Sequence, residues 1–440
     1  MRPFDIYDIN YIKSHESLNS NLIKRYYQDS VWKLFLSIIS LFFMVTKDVL
    51  FKPFGFNRLK KSSFAFFGDT NNNIRSLAPV QSHMTNSYLY SKKLPYGLMA
   101  LNTLRYIPDV FILYKKEKGY LRKSLASDFS SYCFSYSDMD FAPRILQKIN
   151  PKACAFANDH GSRTRALFRA AQNMNIKTVY MQHASVNIHF PPLEYDYAFL
   201  DGMESLEKYL YKKPCNSKIF LSGASRFDFQ NTISFSKTNL SENNKLRVGV
   251  AINSIDNEKK VIEFIKQIMS IGKYECIIRP HPSQNTYKWK NIAKIYNCKI
   301  SSAKKENPFT FIANADVFIA AQTSFHLDVA VAGKESFHYN FTNTDISDHY
   351  GYLKNNLIMD ITDKSYEEIK ILLDNHINNL NKAELVRYYV ANYGSNYWGK
   401  AAELIALTIE ELTINNKCPD FWIEKEYKGY SYFELKDTNL

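Results

Sequence analysis

Four short runs in this sequence put reactive side chains at the ends of apolar, strand-like stretches. In CIIRPHPSQ, residues 276–284, strand formers stop at Arg279, Pro280, His281, Pro282 and Ser283. Neither proline can donate a ladder hydrogen bond, so a strand must end there and a rigid turn begin. A guanidinium fork and an imidazole on such a turn suit a nucleotide phosphate. A capped strand with its His satisfied by backbone is the alternative. In AAQTSFHLD, Gln322, Thr323 and Ser324 follow the apolar DVFIAA and open a helix, where a hydroxyl can cap and free N–H groups can face an anion. Asp328, one turn further, can cap or reach a ribose.

The other two runs lie earlier. FANDHGS places Asn158, Asp159, His160 and Gly161 after a strand of small apolar residues. A carboxylate or imidazole there can take a proton from an acceptor hydroxyl, while an Asx-type cap on the helix starting at Ser162 would use the same residues. In YMQHASV, Gln182 and His183 end the next strand, and His183 can share proton transfer, orient an acceptor or simply pack. A D-x-D at Asp138 and Asp140 could bridge a metal to a diphosphate, but it stands before a stretch with Pro143 and reads as loop and cap, so no metal is expected. Neither G-x-G-x-x-G nor G-x-x-x-x-G-K-[ST] occurs.

The elements that must hold these residues alternate. KACAFAND, IKTVYMQHAS, YDYAFLDG and SKIFLSGAS are β-rich runs separated by helical stretches, which means a parallel sheet with right-handed crossovers. Residues 234–245, SFSKTNLSENNK, read as a linker. Beyond it the alternation restarts as a second doubly wound domain, and from about Ser365 the chain reads as helical. The expected class is α/β, with two Rossmann-like domains facing a central cleft and C-terminal helices. Its boundaries are 1–235 for an acceptor-binding domain with a helical N-terminal extension, 246–395 for a donor domain, and 396–440 for a helix and tail returning to the first domain.

The 440 residues are 45% hydrophobic and 22% charged, enough for two cores. Six scattered cysteines with no C-x-x-C argue against a zinc ribbon or disulfide framework and for a reducing compartment. A net charge of +13 favours anionic partners, and with no basic tail or nucleic-acid module, phosphate or membrane surface is preferred to nucleic acid. The apolar run 34–45, between Lys33 and Lys47, is about a dozen residues and too short to cross a bilayer. It reads as a buried helix or as an interfacial one with basic residues facing head groups.

Together NDHG, QHAS, SGASRFD, RPHP and QTSFHLD, in that order over two α/β halves, resemble the GT-B glycosyltransferase superfamily. The resemblance covers about 150–410 and is greatest to bacterial surface-polysaccharide enzymes: sialyl and Kdo transferases that use CMP-sugars, and CDP-polyol phosphotransferases of teichoic-acid-like polymers. It implies that His281 contacts the nucleotide phosphate, that Thr323 and Ser324 help hold it, and that Asp159 is the general base, with His160 where the family has a second acid. From the CDP-polyol enzymes it implies roles for His183, here followed by Ala184, and for Gly223, Arg226 and Asp228, with Ser225 replacing a proline.

The resemblance further implies a metal-independent transferase with no cofactor beyond its CMP-linked nucleotide-sugar donor. The acceptor would be a glycan or lipid-linked precursor of capsule or lipopolysaccharide. The expected location is cytoplasmic, with peripheral contact on the anionic inner face of the cytoplasmic membrane left open. Alternatives are a CDP-polyol phosphotransferase, a nucleotide-sugar epimerase and a non-catalytic glycan-assembly subunit.

Overall fold

The computed structural model describes residues 30–158, 161–186, 188, 190–211, 215–232, 245–271, 273–342, 348–375 and 382–436. The chain folds as two compact units, Met1–Asp228 with Gly399–Leu440, and Phe229–Trp398. The segment expected as a linker lies outside the described residues except for Lys245.

The first unit opens with helix α1 (Val31–Phe51), then β1 (Phe64–Phe67), α2 (Asn71–Ser82) and β2 (Ser87–Leu89). Four helices follow, α3 (Tyr96–Thr103), α4 (Ile107–Lys116), α5 (Gly119–Ser127) and α6 (Phe129–Ile149). The alternation then becomes regular: β3 (Ala153–Phe156), α7 (Ser162–Asn173), β4 (Lys177–Met181), β5 (Tyr197–Leu200), α8 (Met203–Leu210) and β6 (Lys218–Leu221). FAFF, ACAF and YAFL are apolar throughout because both faces of a parallel sheet are covered. The sequence reading assigned no strand before residue 150, yet β1 pairs in parallel with both β2 and β3.

Two expectations fail in the helices. The apolar run predicted at a dozen residues is a helix of 21, because Lys47 and Asp48 continue it and only Pro53 stops it. Asp138 and Asp140 stand inside the 21-residue α6, not in a loop, and the helix runs through Pro143. Asn150 closes α6 in the left-handed conformation (φ 54°) and turns the chain into β3.

The second unit comprises β7 (Leu246–Ala251), α9 (Glu258–Ser270), β8 (Tyr274–Arg279), α10 (Thr286–Ile295), β9 (Lys299–Ile300), α11 (Pro308–Asn314) and β10 (Val317–Ala320). It continues with α12 (Phe325–Val331), β11 (Glu335–His338), β12 (Met359–Asp360), α13 (Tyr366–Asp374) and α14 (Ala383–Tyr389). Its strands are all parallel, in the order β12-β11-β10-β7-β8-β9, so the order reverses between β7 and β10. This is the dinucleotide-fold order with its ligand crevice at the reversal. Val248, Val250, Phe264, Ile278, Trp289 and Ile319 are among its core residues. Gly249 is required in β7: a Cβ there would lie 2.5 Å from the Phe318 ring.

The chain returns to the first unit as α15 (Ala401–Glu410), whose Ala402, Ile405, Ala406 and Ile409 pack in that unit's core. The tail is not helical as expected. Residues 422–435 form a hairpin, β13 (Trp422–Tyr427) and β14 (Tyr430–Leu435), turned by Lys428 and Gly429, both at positive φ. β14 pairs in parallel with β6, giving among the described residues an eight-stranded sheet ordered β13-β14-β6-β5-β4-β3-β1-β2.

Candidate functional site

In the second unit the site grows from the carboxyl ends of β8, β7 and β10. β8 ends at Arg279, and His281–Gln284 close a turn in which the Gln284 N–H donates to the His281 carbonyl (3.0 Å). Pro282 takes the position where a fixed φ suits such a turn. His281 is exposed. The Ser283 N–H donates to its Nδ1 (3.2 Å) and the Ser283 hydroxyl lies 2.7 Å from the same nitrogen. With Nδ1 accepting, the neutral ring carries its proton on Nε2. Partial burial holds the His281 pKa below its ordinary value, so the ring is a neutral N–H donor at physiological pH.

Arg279 is placed differently from the expectation of a phosphate fork. Its buried guanidinium donates to Ser301 Oγ (2.6 Å) and to the Glu306 carbonyl (2.8 Å), and stacks over Phe311. These bonds anchor the end of β8 beneath the His281 turn.

At the reversal point, Asn253 follows β7 and Gln322 follows β10. Asn253 Nδ2 donates to the Gln322 carbonyl (3.1 Å), and Gln284 Nε2 donates to the Asn253 carbonyl (3.2 Å). One set of bonds thus joins the ends of β7 and β10 to the His281 turn. Asp256 fixes Asn253 by accepting its N–H (2.7 Å), and burial pushes the Asp256 carboxyl up to about 6.

The hydroxyl roles are also redistributed. Thr323, not Ser324, accepts the Phe325 N–H (3.3 Å), and the Ser324 side chain makes no capping bond. The helix they open has only seven residues, so its dipole is a small contribution. Asp328 lies half-buried in its first turn.

Sequence reasoning missed His326, which is fully buried. Its Nε2 donates to the Ala321 carbonyl (3.1 Å) and its Nδ1 accepts from Ser336 Oγ (2.9 Å), tying the end of β10 to β11. Burial lowers its pKa to about 3, so it is neutral. Gln322, Thr323 and His326 line a small recess with His338, Tyr350 and Tyr352 whose cavity volume is about 10 Å³, room for a single water.

In the first unit the strand order reverses between β1 and β3, the flavodoxin-like switch point. Asp159 and His160, expected at the β3 end, lie outside the described residues. Asn158 Oδ1 accepts the Gly161 N–H (2.8 Å), closing the loop ahead of α7, whose N-cap residue Gly161 makes no side-chain cap. Gly161 sits at φ −78°, so its turn does not require glycine.

Beside this loop stands Asp69, at the end of β1 and unmarked by the sequence reading. It accepts from the Tyr96 hydroxyl (2.7 Å) and pairs with Arg163 (3.4 Å), whose guanidinium also reaches the buried Asp138 (3.2 Å). Ser162 Oγ donates to Asp138 as well (3.2 Å), and Asp140 is separately engaged by Asn102 and Arg144. The D-x-D carboxylates therefore serve different partners. Among the described residues no group of three or more His, Cys, Asp or Glu could hold a metal ion.

Four other predicted residues, Gln182, Arg226, Gly223 and Asp228, have structural roles. Gln182 accepts the Asp201 N–H (2.9 Å) and donates to the Ala184 carbonyl (3.0 Å). Arg226 forms a buried ion pair with Asp201 (2.5 Å). Gly223 takes φ 72°, a left-handed conformation suited to glycine. Asp228 receives the N–H groups of both Ala401 (3.0 Å) and Ala402 (2.6 Å), capping α15. His183 stands half-buried two residues beyond β4.

No protein-family model matches the chain, and no curated protein matches it. Solved structures do. A Listeria monocytogenes protein described as a candidate UDP-N-acetylglucosamine 2-epimerase shares 12% identity over 82% of this chain and 99% of its own, with a TM-score of 0.51. The S. aureus MnaA–UDP co-structure matches at 11% identity, 81% and 99% coverage and a TM-score of 0.50. A Rickettsia bellii UDP-N-acetylglucosamine 2-epimerase matches at 14%, 82% and 100%, and 0.50. The fold is therefore GT-B-like, with two Rossmann-like parallel-sheet domains.

Proposed function

We propose that this protein is a carbohydrate-active enzyme that binds a nucleotide-linked sugar in the switch-point crevice of its second unit. The observation that carries the reading is the exposed His281 with its Nε2–H, on a turn bonded through Asn253 and Gln284 to the two strand ends that define the crevice. A neutral imidazole donor on a turn tied through Gln284 and Asn253 to Gln322, which Thr323 and Ser324 follow in sequence, suits a phosphate of low charge.

Within that class the reading is a metal-independent glycosyltransferase moving an acidic, sialic-acid- or Kdo-like sugar from a CMP donor to a capsule or lipopolysaccharide glycan. The motif resemblance supports the donor. Asp159 would take the acceptor proton, with His160 next in the chain and His183 after the following strand. A second reading, a nucleotide-sugar epimerase, is favoured by the overall likeness to UDP-N-acetylglucosamine 2-epimerases.

Thermal unfolding with CMP, CDP, UDP and GDP separates the readings, since a ligand that binds only the folded state raises Tm. Selective stabilisation by CMP supports the transferase, by CDP a polyol-phosphate transferase, and by UDP the epimerase. No shift with any nucleotide defeats the crevice assignment.

A further inference from the structure

Helix α1 is apolar on two opposite faces, and among the described residues only one is covered. Leu34, Leu41 and Val45 form a buried stripe packed with residues of α4, α5 and α6. Trp32, Ile39, Phe43 and Leu50 repeat at i, i+7, i+11 and i+18 on the other side. Trp32 is 65% exposed, Phe43 71% and Leu50 68%. Contiguous exposed apolar surface of this kind marks an interaction site.

We propose that this face seats the protein on an anionic lipid bilayer, with α1 lying in the membrane surface and sunk to about half its thickness. By length and hydropathy α1 could cross a membrane. Its buried stripe argues otherwise. Ser37 Oγ, on that stripe, accepts the Ser130 N–H (3.2 Å), one of the unsatisfied first-turn amides of α6. A helix fixed along one face to a globular core presents only the opposite face to acyl chains, which is the geometry of an interfacial helix.

Charge selects the kind of membrane. Lys47 is exposed on α1, and Lys115, Lys116, Lys118 and Lys123 are exposed on or beside α4 and α5, whose core residues share one cluster with α1. Of the acids on these segments, Asp48 is paired with Lys52 (3.1 Å), leaving Asp109 and Glu117 against this excess of lysine. Lys47 lies between the exposed Phe43 and Leu50 on α1, and Lys115 and Lys116 follow the exposed Phe111 and Ile112 on α4, a mixture of lysine and apolar side chains that matches anionic head groups over acyl chains. The inference does not depend on the nucleotide reading, and the assays below separate the two.

The test is sedimentation of the full-length protein with vesicles of phosphatidylcholine alone or with an equal part of phosphatidylglycerol, with Trp32 fluorescence as native reporter. Salt-sensitive binding to the anionic vesicles is expected, with a blue shift in emission absent from Trp32→Phe. The double variant Ile39→Glu/Phe43→Glu should bind about 100-fold more weakly, and Lys115→Glu/Lys116→Glu about 30-fold. Both should keep the parent's Tm and nucleotide response. Unchanged binding by the double glutamate variant, or no preference for anionic vesicles, overturns the proposal. So does a Trp32 already shielded without lipid, which would mean that residues 1–29 or a second copy covers the face. Protein released from vesicles only by detergent would mean a spanning helix and overturns it equally.

Discussion

Ser283 holds the imidazole of His281 by its Nδ1, with the backbone N–H at 3.2 Å and the hydroxyl at 2.7 Å. The arrangement fixes the tautomer and turns Nε2–H outward. His281→Ala should weaken nucleotide binding about 10- to 100-fold, the range for a hydrogen bond to a charged group. The unliganded Tm should barely move, because the ring is exposed. Calorimetric titration of the variant checks both; unchanged affinity would remove His281 from the site.

His326 acts inside the protein. His326→Ala removes two buried hydrogen bonds and leaves a cavity, at an expected cost of about 2–4 kcal/mol in urea unfolding. The native ring stays neutral down to about pH 3, whereas an unfolded His protonates below its ordinary 6.5. The unfolded state thus binds more protons between these values, and stability from this residue falls as the pH drops from 6.5 toward 3. His326→Gln should flatten that part of the stability profile.

Asp228 has the opposite sign. Burial raises its carboxyl to about 6, despite the two N–H groups of α15 that it accepts. A raised acid contributes stability that is full below its unfolded 3.8 and is lost as the pH rises through about 6. Asp228→Asn should reduce that slope. Asp228→Ala should lower stability by about 1–2 kcal/mol through loss of the cap, read as the shift in the urea midpoint at neutral pH.

Gly249→Ala would drive a Cβ to 2.5 Å from Phe318, itself packed edge-on against Phe311. Overpacking of this sort costs about 1–3 kcal/mol. A variant that unfolds at the parent's midpoint would show that the Phe318 ring yields freely.

The doubly wound second half was legible because its signals are local. Apolar runs of four to six residues ending in Pro, Asn or hydroxyl residues mark β7, β8 and β10, and these strands carry the crevice. What escaped depends on contacts distant in sequence. Nothing in RPHP says that Arg279 will turn inward to Ser301 and Glu306. Nothing around Asp69 announces Arg163, ninety-four residues away. The hairpin at 422–435 was missed although Lys428–Gly429 between aromatic, alternating flanks is a turn signal. The extent of α1 was misjudged because a hydropathy run ends at its first charge, whereas a helix ends where its backbone bonds do.

The last strands of the chain complete a sheet that its first two hundred residues begin. On the ribosome, β6 therefore emerges long before the hairpin that covers it, and the second unit, contiguous in sequence, has all its strands before the first has its full set. Until residue 435 leaves the exit tunnel, the nascent first half carries an open edge, the feature that invites aggregation. A chain cut before Tyr430 would leave β6 exposed permanently.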